Sequence, residues 1–232
     1  MAENRITKKW LKNHWHYSWW KYMLVVVISI MGVNMLFTTT AYRPPEEKKV
    51  ELYICSSYSD AMSLQTELSP LFFAEHPDQE ELSVMNINLS SGDMYAAMQF
   101  STYAAAQQGD VCMLPMSEVA KLSAENPEDA FLDLTPYIES GALDVQGIDP
   151  RDTTFTTPEG KQGIYGVPSD SLYGLLQHST DPADGVLCVM IYSGNDENAV
   201  SMLDLLIRQY KTEKPEGYDK MHDAANSTQA VF

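Results

Sequence analysis

The sequence predicts an α/β protein in which a single N-terminal transmembrane helix precedes one three-layer lobe built on a mostly parallel sheet. Three observations favour this class. An uncharged run, MLVVVISIMGVNMLF, occupies residues 23–37. After residue 50, β-rich segments alternate with helical patterns of ten or more residues, which is typical of parallel strands joined by right-handed crossovers. The apolar content of 44% excludes a wholly disordered chain.

Charge separates the start of the chain from the rest. The formal net charge is −17, yet residues 1–22 carry five basic side chains and one acidic one, so the remaining residues carry −21. The uncharged run and its aromatic flanks would cover roughly 36 Å as a helix, enough for a hydrocarbon core about 30 Å thick. Because basic segments stay in the cytoplasm, we predict a cytoplasmic leader at 1–22, an anchor at 23–42 and an extracellular C-terminal domain. The lipid bilayer of the cell membrane is then the first partner.

Two other interpretations of the apolar run compete with the anchor. A cleaved signal peptide is the closer one, because Thr39-Thr40-Ala41 is a weak small-residue cleavage site. The long leader with four tryptophans favours an uncleaved anchor. A buried core helix is disfavoured because the run is apolar on all faces and has basic and aromatic flanks.

The first half of the domain shows strands and helices in alternation. VELYIC and DVCML are β-rich, LSVMNINL alternates apolar and polar residues, and Met94, Ala97 and Met98 share a helical face. Asp60 is a suitable N-cap for the helix that follows the first strand. In order, we predict a polar linker at 43–49, a strand at 50–55, a helix from 60 to about 75, a strand at 82–89, a helix from 93 to 109 and a strand at 110–114.

The second half is less regular. We predict a helix at 117–125, a packed edge segment at 131–138, a surface loop or small hairpin at 139–163, an extended piece at 164–168, a strand at 186–192 and a helix from 195 to 210. The tail at 214–232 has no hydrophobic period and is predicted to be disordered. The predicted extracytoplasmic α/β domain is therefore 50–213.

This series of segments resembles a known family. The order of the elements, with FLDLTPYI at 131–138 and YGVP at 165–168, is similar to the first lobe of the extracellular solute-binding proteins of ABC importers, which have the type-II periplasmic-binding fold. The resemblance implies a polar solute as ligand. In that family a whole second lobe follows the YGVP strand before the chain returns to the first lobe. Here only the 18 residues 169–186 separate Pro168 from the returning strand at Leu187. Since so short a segment cannot bury its own core, we expect the second lobe to be missing.

Candidate ligand-binding residues follow the predicted strands. In open α/β sheets, ligands gather beyond the carboxyl ends of the strands, near helix N-termini with free N–H groups. The same residue types also serve as helix caps and turn formers, and that interpretation is favoured. The candidates are Ser56, Ser57, Tyr58, Ser90, Ser91, Gly92, Met116, Ser117, Ser193, Gly194 and Asn195.

No catalytic signature accompanies these residues. None of the histidines lies in a nucleophile motif, and His14 and His16 in the leader lack further metal ligands. Cys55, Cys112 and Cys188 each lie in an apolar strand, where cysteine is usually a core residue. A disulfide between two of the three thiols stays open. We predict no cofactor and no metal.

Composition and resemblance together define the expected function. The sequence pI near 4.5 argues against a nucleic-acid partner. We expect a non-catalytic, membrane-anchored binding or interaction module with a protein partner at the membrane, and a small polar solute as a further ligand. Three alternatives to this module remain open. The first is a solute receptor of an ABC-type importer that completes its cleft with a partner, and the second is an accessory subunit of a membrane protein complex. The third is an enzyme, although no set of residues that could carry a reaction is found.

Overall fold

The computed structural model describes residues 8–219, and the chain divides into two compact units, Met1–Arg43 and Pro44–Phe232. The described part of the first unit is dominated by one helix, α1, which spans Lys8–Thr40. Within it, Ser18–Thr40 is long and apolar enough to cross a membrane, and none of this segment is buried inside the protein. At 1.5 Å per residue its 23 residues cover about 35 Å. An apolar N-terminal helix of the predicted kind is thus present.

The second unit contains a five-stranded sheet with the order β2-β1-β3-β7-β6. Its strands are β1 (Lys49–Ile54), β2 (Glu81–Asn86), β3 (Val111–Pro115), β6 (Val167–Pro168) and β7 (Gly185–Val189). Strand β1 pairs in parallel with β2 and with β3, whereas β7 is antiparallel to its neighbours β3 and β6. Four of the five strands therefore point the same way, and the predicted mixed α/β class with a mostly parallel sheet is confirmed.

Helices cover both faces of this sheet. Alternate residues of β1 belong to two different cores: Leu52 and Ile54 to one, Tyr53 and Cys55 to the other. The first core is completed by α2 (Ala61–Glu75) and α6 (Asp196–Tyr210). The second is completed by α3 (Met94–Ala105) and α4 (Met116–Leu122). The period of two along each strand thus produces a helix–sheet–helix arrangement.

Local sequence explains where the helices begin. The Asp60 carboxylate accepts a hydrogen bond from the Ser63 N–H at 3.1 Å and caps α2, as predicted. The Asp93 carboxylate caps α3 in the same way, with the Tyr95 N–H at 2.9 Å. Each cap satisfies one of the N–H groups that a helix leaves free at its first turn.

Three local differences from the predicted elements are visible. Strand β2 ends at Asn86 because a 3-10 helix, Leu89–Ser91, follows it, and strand β7 ends at Val189. In the predicted edge segment 131–138, only Phe131 forms a β-bridge, and helix α5 (Thr135–Ser140) begins with Pro136 in its first turn. The region 139–163, predicted as a surface loop or small hairpin, contains most of a hairpin, β4 (Thr154–Thr156) with β5 (Gln162–Ile164).

The end of the described chain packs more than predicted. Tyr218 is 8% exposed, and its ring meets that of Tyr173 edge-on with 5.1 Å between centroids. The contacts of the unit therefore extend beyond the predicted boundary at residue 213, because an aromatic side chain finds an apolar partner there. The rest of the predicted tail, 220–232, lies outside the described residues, as do residues 1–7 of the predicted leader.

Candidate functional site

The sheet has one topological switch point. From β1 the chain crosses to β2 on one side, and later returns to β3 on the other side. The connections that follow β1 and β3 therefore diverge and leave a crevice beyond the carboxyl ends of these two strands, where ligands bind in open α/β sheets. Ser56 and Ser57 follow β1 at this crevice, and Met116 follows β3 as the first residue of α4.

Three of the four predicted clusters meet at this edge of the sheet. They are the residues that follow the parallel strands β1, β2 and β3: Ser56, Ser57 and Tyr58; Ser90, Ser91 and Gly92; Met116 and Ser117. The first two clusters are in direct contact, because the Ser90 hydroxyl donates to the Ser56 carbonyl at 2.5 Å. Gly92 ends the 3-10 helix in a left-handed conformation, with φ +70°, which glycine adopts without strain.

The fourth cluster, Ser193, Gly194 and Asn195, lies at the opposite edge. It follows β7, which runs antiparallel to β3, so it is separated from the other three clusters. The Ser193 hydroxyl donates to Asp110 at 2.6 Å, and the Asn195 side chain donates to the Lys49 carbonyl at 3.0 Å. These residues tie the strand starts together at that edge and contribute nothing to the crevice.

Much of the polar capacity at the switch point is used internally. The Asn86 amide donates to the carbonyls of Ile54 (2.9 Å) and Ser57 (2.7 Å). The Ser57 hydroxyl accepts from the Asp181 N–H at 3.1 Å, and on the other side of the crevice the Met116 N–H donates to the Asp184 carbonyl at 2.9 Å. The segment 181–184 therefore contacts both sides of the crevice, Ser57 after β1 and Met116 after β3.

Two polar atoms at this edge lack a partner among the described residues. They are the Ser56 hydroxyl and the Asn88 side-chain carbonyl oxygen, and both are buried. Ser56 is only 6% exposed, and a Cβ added at Gly185 would lie 3.2 Å from its hydroxyl. Buried polar atoms without partners are uncommon and are typical of sites that take up a small polar molecule.

A further feature of the same edge is a set of five exposed Tyr and Met side chains, which we call the docking patch. Tyr58 lies in the β1–α2 connection and Met62 in the first turn of α2, while Met94, Tyr95 and Met98 lie in the first two turns of α3. Their exposed fractions are 63%, 81%, 80%, 74% and 59%. Because β1 and β2 are adjacent and parallel, both connections leave the sheet at one edge.

The docking patch is unusual within its unit. Among the described residues of this unit, Ile191 is the one other exposed large apolar side chain, and at 42% it is less exposed than any member of the patch. The capping carboxylates of Asp60 and Asp93 lie beside the patch and are exposed, so its surroundings are acidic. Concentrated exposed apolar area mixed with methionine is typical of surfaces that bind other proteins.

A buried histidine contacts the first turns of α2. The Nδ1 atom of His178 lies 2.9 Å from the Ser63 hydroxyl, and its Nε2 atom lies 3.1 Å from the Glu67 carboxylate. The imidazole is 4% exposed and meets the Tyr210 ring edge-on. Both ring nitrogens are thus engaged within the protein, and His178 ties the segment before β7 to α2 and α6. The burial of His178 could not be predicted from the sequence, because the residues on either side of it are polar and form no hydrophobic pattern.

The three cysteines lie on one face of the sheet and are free thiols. Cys112 on β3 is directly opposite Cys188 on β7. Burial raises the pKa of Cys55 and of Cys188, and it raises the pKa of Cys112 well above its usual range. Protonated, enclosed thiols are poor nucleophiles, so these residues act as part of the core. The structure contains no disulfide between them.

The described residues contain no group of metal ligands, and a cavity away from the crevice holds no free cation. No three His, Cys, Asp or Glu side chains among them are grouped so that they could hold a metal ion. An open cavity of about 450 Å³ lies near the end of β6, between Asp149, Arg151, Asp170 and Lys211. Its cations are already engaged, since Arg151 pairs with Asp149 and Lys211 donates to the Gln146 carbonyl.

No protein-family model matches the chain, and no match is found among curated proteins.

Proposed function

We propose that this chain is a membrane-anchored, extracytoplasmic and non-catalytic interaction module that binds another protein through the docking patch. The observation that carries the proposal is the concentration of five exposed Tyr and Met side chains at one edge of an otherwise ordinary surface. Association through such a patch removes apolar area from water, which is the main driving force for protein binding.

The anchor and its orientation belong to the same proposal. The segment Ser18–Thr40 has the length of a membrane span, and five basic side chains precede residue 22. Placing this basic end in the cytoplasm exposes the acidic unit outside the cell. A patch on a tethered unit meets partners confined to the same membrane at a high effective concentration.

The surroundings of the patch define the chemistry of its partner. Asp60 and Asp93 lie beside the apolar side chains, and the residues after 22 carry a net charge of −21. An apolar segment flanked by Lys or Arg complements both features, and like charges at this position would be repelled. We therefore assign to the partner an apolar, basic-flanked surface close to the membrane.

The family resemblance gives this proposal an origin. Residues 169–184 between β6 and β7 contain one 3-10 helix, Tyr173–His178, where solute-binding proteins would build a second lobe. The segment 181–184, which bonds to both sides of the crevice, also fits a lobe that no longer closes on a solute. In this interpretation a half of a two-lobed receptor has become a docking module.

The test is capture of the partner by the full-length chain from detergent-solubilised membranes after crosslinking. The patch variant carries Tyr58→Ser, Met94→Ser and Tyr95→Ser, and the matched control carries Ile191→Ser outside the patch. We expect the wild type and the control to capture the same membrane protein, and the patch variant at least tenfold less of it. Equal capture by the patch variant, or the absence of any specific partner, contradicts the proposal. A chain without residues 1–42 reports how far capture depends on the anchor.

A second candidate is a solute receptor that completes its cleft with a partner. It is favoured by one observation, the buried and unpartnered Ser56 hydroxyl in the crevice. Sugars, amino acids and short peptides are tested for a rise in the melting temperature of the wild-type chain, because a ligand that binds the folded state stabilises it. The Ser56→Ala variant must lose that rise. If no compound shifts the melting temperature, the solute-receptor candidate is withdrawn.

A further inference from the structure

The uncharged run 23–37 of the described helix contains one polar side chain, that of Asn34, whose hydrogen-bonding groups are unmatched. The Ser29 hydroxyl donates to the Val25 carbonyl at 2.8 Å, and the three threonines at 38–40 donate to carbonyls one turn earlier at 2.6 to 2.9 Å. These hydroxyls are therefore satisfied inside α1. Within the described helix the side-chain amide of Asn34 makes no such bond and is exposed.

The depth of Asn34 makes this amide costly. The midpoint of Ser18–Thr40 is residue 29, so Asn34 lies five residues, or about 7.5 Å, from the midpoint. The hydrocarbon core extends about 15 Å to either side of the bilayer centre. An amide carries two N–H donors and one carbonyl acceptor, and hydrocarbon offers a partner for none of them.

Asn34 also has suitable neighbours on its face of the helix. Val27, Ile30, Asn34 and Phe37 recur at spacings of three, four and three, which places them on one stripe. The exposed fractions of Val27, Ile30 and Phe37 are 51%, 61% and 72%. A stripe of branched and aromatic side chains interrupted by one asparagine is the pattern of a two-helix seam whose register the asparagine fixes.

We infer that the partner of this stripe is a second copy of the same helix, paired in parallel through the two Asn34 amides. This inference rests on the proposed membrane anchoring. An amide is self-complementary because it both donates and accepts, so two copies related by a two-fold axis satisfy one another. Two chains inserted with the same orientation bring their Asn34 residues to the same depth without any further requirement.

Pairing of α1 has a consequence for the docking patch. Each dimer carries two outer units on two linkers, and therefore two patches. A partner that is itself dimeric engages both at once, and the second contact forms at a high effective concentration. The membrane helix then regulates binding strength without contacting the partner.

The experiment measures energy transfer between full-length chains in phosphatidylcholine vesicles. Donor and acceptor dyes are attached at the N-terminus, and the protein-to-lipid ratio is varied. Asn34→Leu removes the amide, Asn34→Gln keeps an amide, and Ser29→Ala is the matched control that removes a hydroxyl already bonded inside its own helix. We expect the wild type, Asn34→Gln and Ser29→Ala to pair at similar ratios. For Asn34→Leu, the protein-to-lipid ratio at which half of the chains are paired is expected to be at least tenfold higher.

Two results overturn the inference. One is a wild type that stays monomeric at every ratio, and the other is an Asn34→Leu variant that pairs like the wild type. Alkaline carbonate extraction of the same vesicles separates two kinds of failure. A chain that resists extraction but does not pair refutes the pairing alone, whereas a chain that is washed off refutes the anchoring as well.

Discussion

The backbone N–H of Glu51 on β1 donates a 2.7 Å hydrogen bond to the carboxylate of Asp110, which lies just before β3. The Ser193 hydroxyl donates to the other carboxylate oxygen at 2.6 Å. Asp110 is 7% exposed, and burial raises its pKa to about 6, although both hydrogen bonds act in the opposite direction. The amino-terminal edge of the sheet therefore holds a carboxyl group that titrates within an accessible pH range.

This carboxyl group predicts a pH-dependent stability. Between about pH 4 and pH 6 the folded chain holds a proton on Asp110 that the unfolded chain has released, so the stability contributed by this residue falls as pH rises through that window. The full effect is on the order of 2 to 3 kcal/mol. In Asp110→Asn the amide still accepts from Glu51, and its free energy of unfolding relative to wild type should rise from pH 4 to pH 7. Urea unfolding followed by far-UV circular dichroism measures this difference.

The Ser193 hydroxyl supplies an internal control for the same experiment. Its hydrogen bond favours the charged carboxylate, so Ser193→Ala should raise the pKa of Asp110 further and extend the pH-dependent window upward. A difference between Asp110→Asn and wild type that stays constant from pH 4 to pH 7 would show that Asp110 does not titrate in this range.

The thiols predict a reactivity pattern. All three cysteines of the chain are buried in the sheet unit and their pKa values are raised, so a maleimide should leave the native chain unmodified at pH 7. In urea all three should react, because unfolding exposes them. Mass spectrometry counts the labels. Two missing labels in urea without reductant would reveal a disulfide, contrary to the free thiols of the structure.

Close packing around Gly185 predicts a destabilising substitution. A Cβ at this position would lie 2.3 Å from the Ser169 hydroxyl and 2.5 Å from the terminal methyl of Met113. Gly185→Ala should therefore cost about 1 to 3 kcal/mol through overpacking. Gly141→Ala is the comparison, since Gly141 has φ +76° but nothing within 4 Å of the added methyl. That change should cost about 1 kcal/mol or less, through backbone strain alone. Equal melting temperatures for the two variants would contradict the packing argument.

Local signals in the sequence were sufficient for part of this fold. The Asp60 cap of α2 and the β-rich composition of β1 are each set by residues close in the chain, and the structure places these elements where the patterns predict them. The uncharged run after residue 22 likewise predicts a long apolar helix. Such features depend on helix and strand periods and need no tertiary information.

Features set by tertiary contacts escaped sequence reasoning. Strand direction leaves no local mark, so the sequence did not show that β7 is antiparallel and that Ser193–Asn195 lie at the opposite edge from the other candidate residues. On α3 the spacing of Met94 and Met98 predicts a shared face, but Ala96 and Phe100 are the residues that meet the core. The methionines of α3 are therefore exposed and belong to the docking patch. The helical period shows two apolar faces on α3, and only tertiary packing determines which of them is buried.

The burial of His178 carries the last prediction. Its ring joins Ser63 and Glu67 on α2, and its backbone carbonyl accepts from the Asp60 N–H at 2.8 Å. Replacing the imidazole by a methyl group removes the His178 partner of the half-buried Ser63 hydroxyl and leaves a cavity in place of the ring, which should cost about 2 to 3 kcal/mol. Gln177→Ala is the comparison, since this exposed side chain lies 3.2 Å from the Nε2 atom of the same ring and also reaches Glu67, but leaves no cavity when it is removed. Its loss should cost under about 0.5 kcal/mol.

Hydrogen exchange locates the effect of the His178 substitution. The Asp60 N–H donates to the His178 carbonyl, so loosening of the segment around residue 178 should expose that amide. In His178→Ala we expect hydrogen exchange of the Asp60 amide to accelerate by more than tenfold. The exchange rates of the β3 amides should change only as much as the global stability does. If His178→Ala and Gln177→Ala exchange alike at Asp60, the histidine does not hold the segment before β7 against α2. The first turn of α2, which carries Met62 of the docking patch, would then be positioned by its Asp60 cap alone.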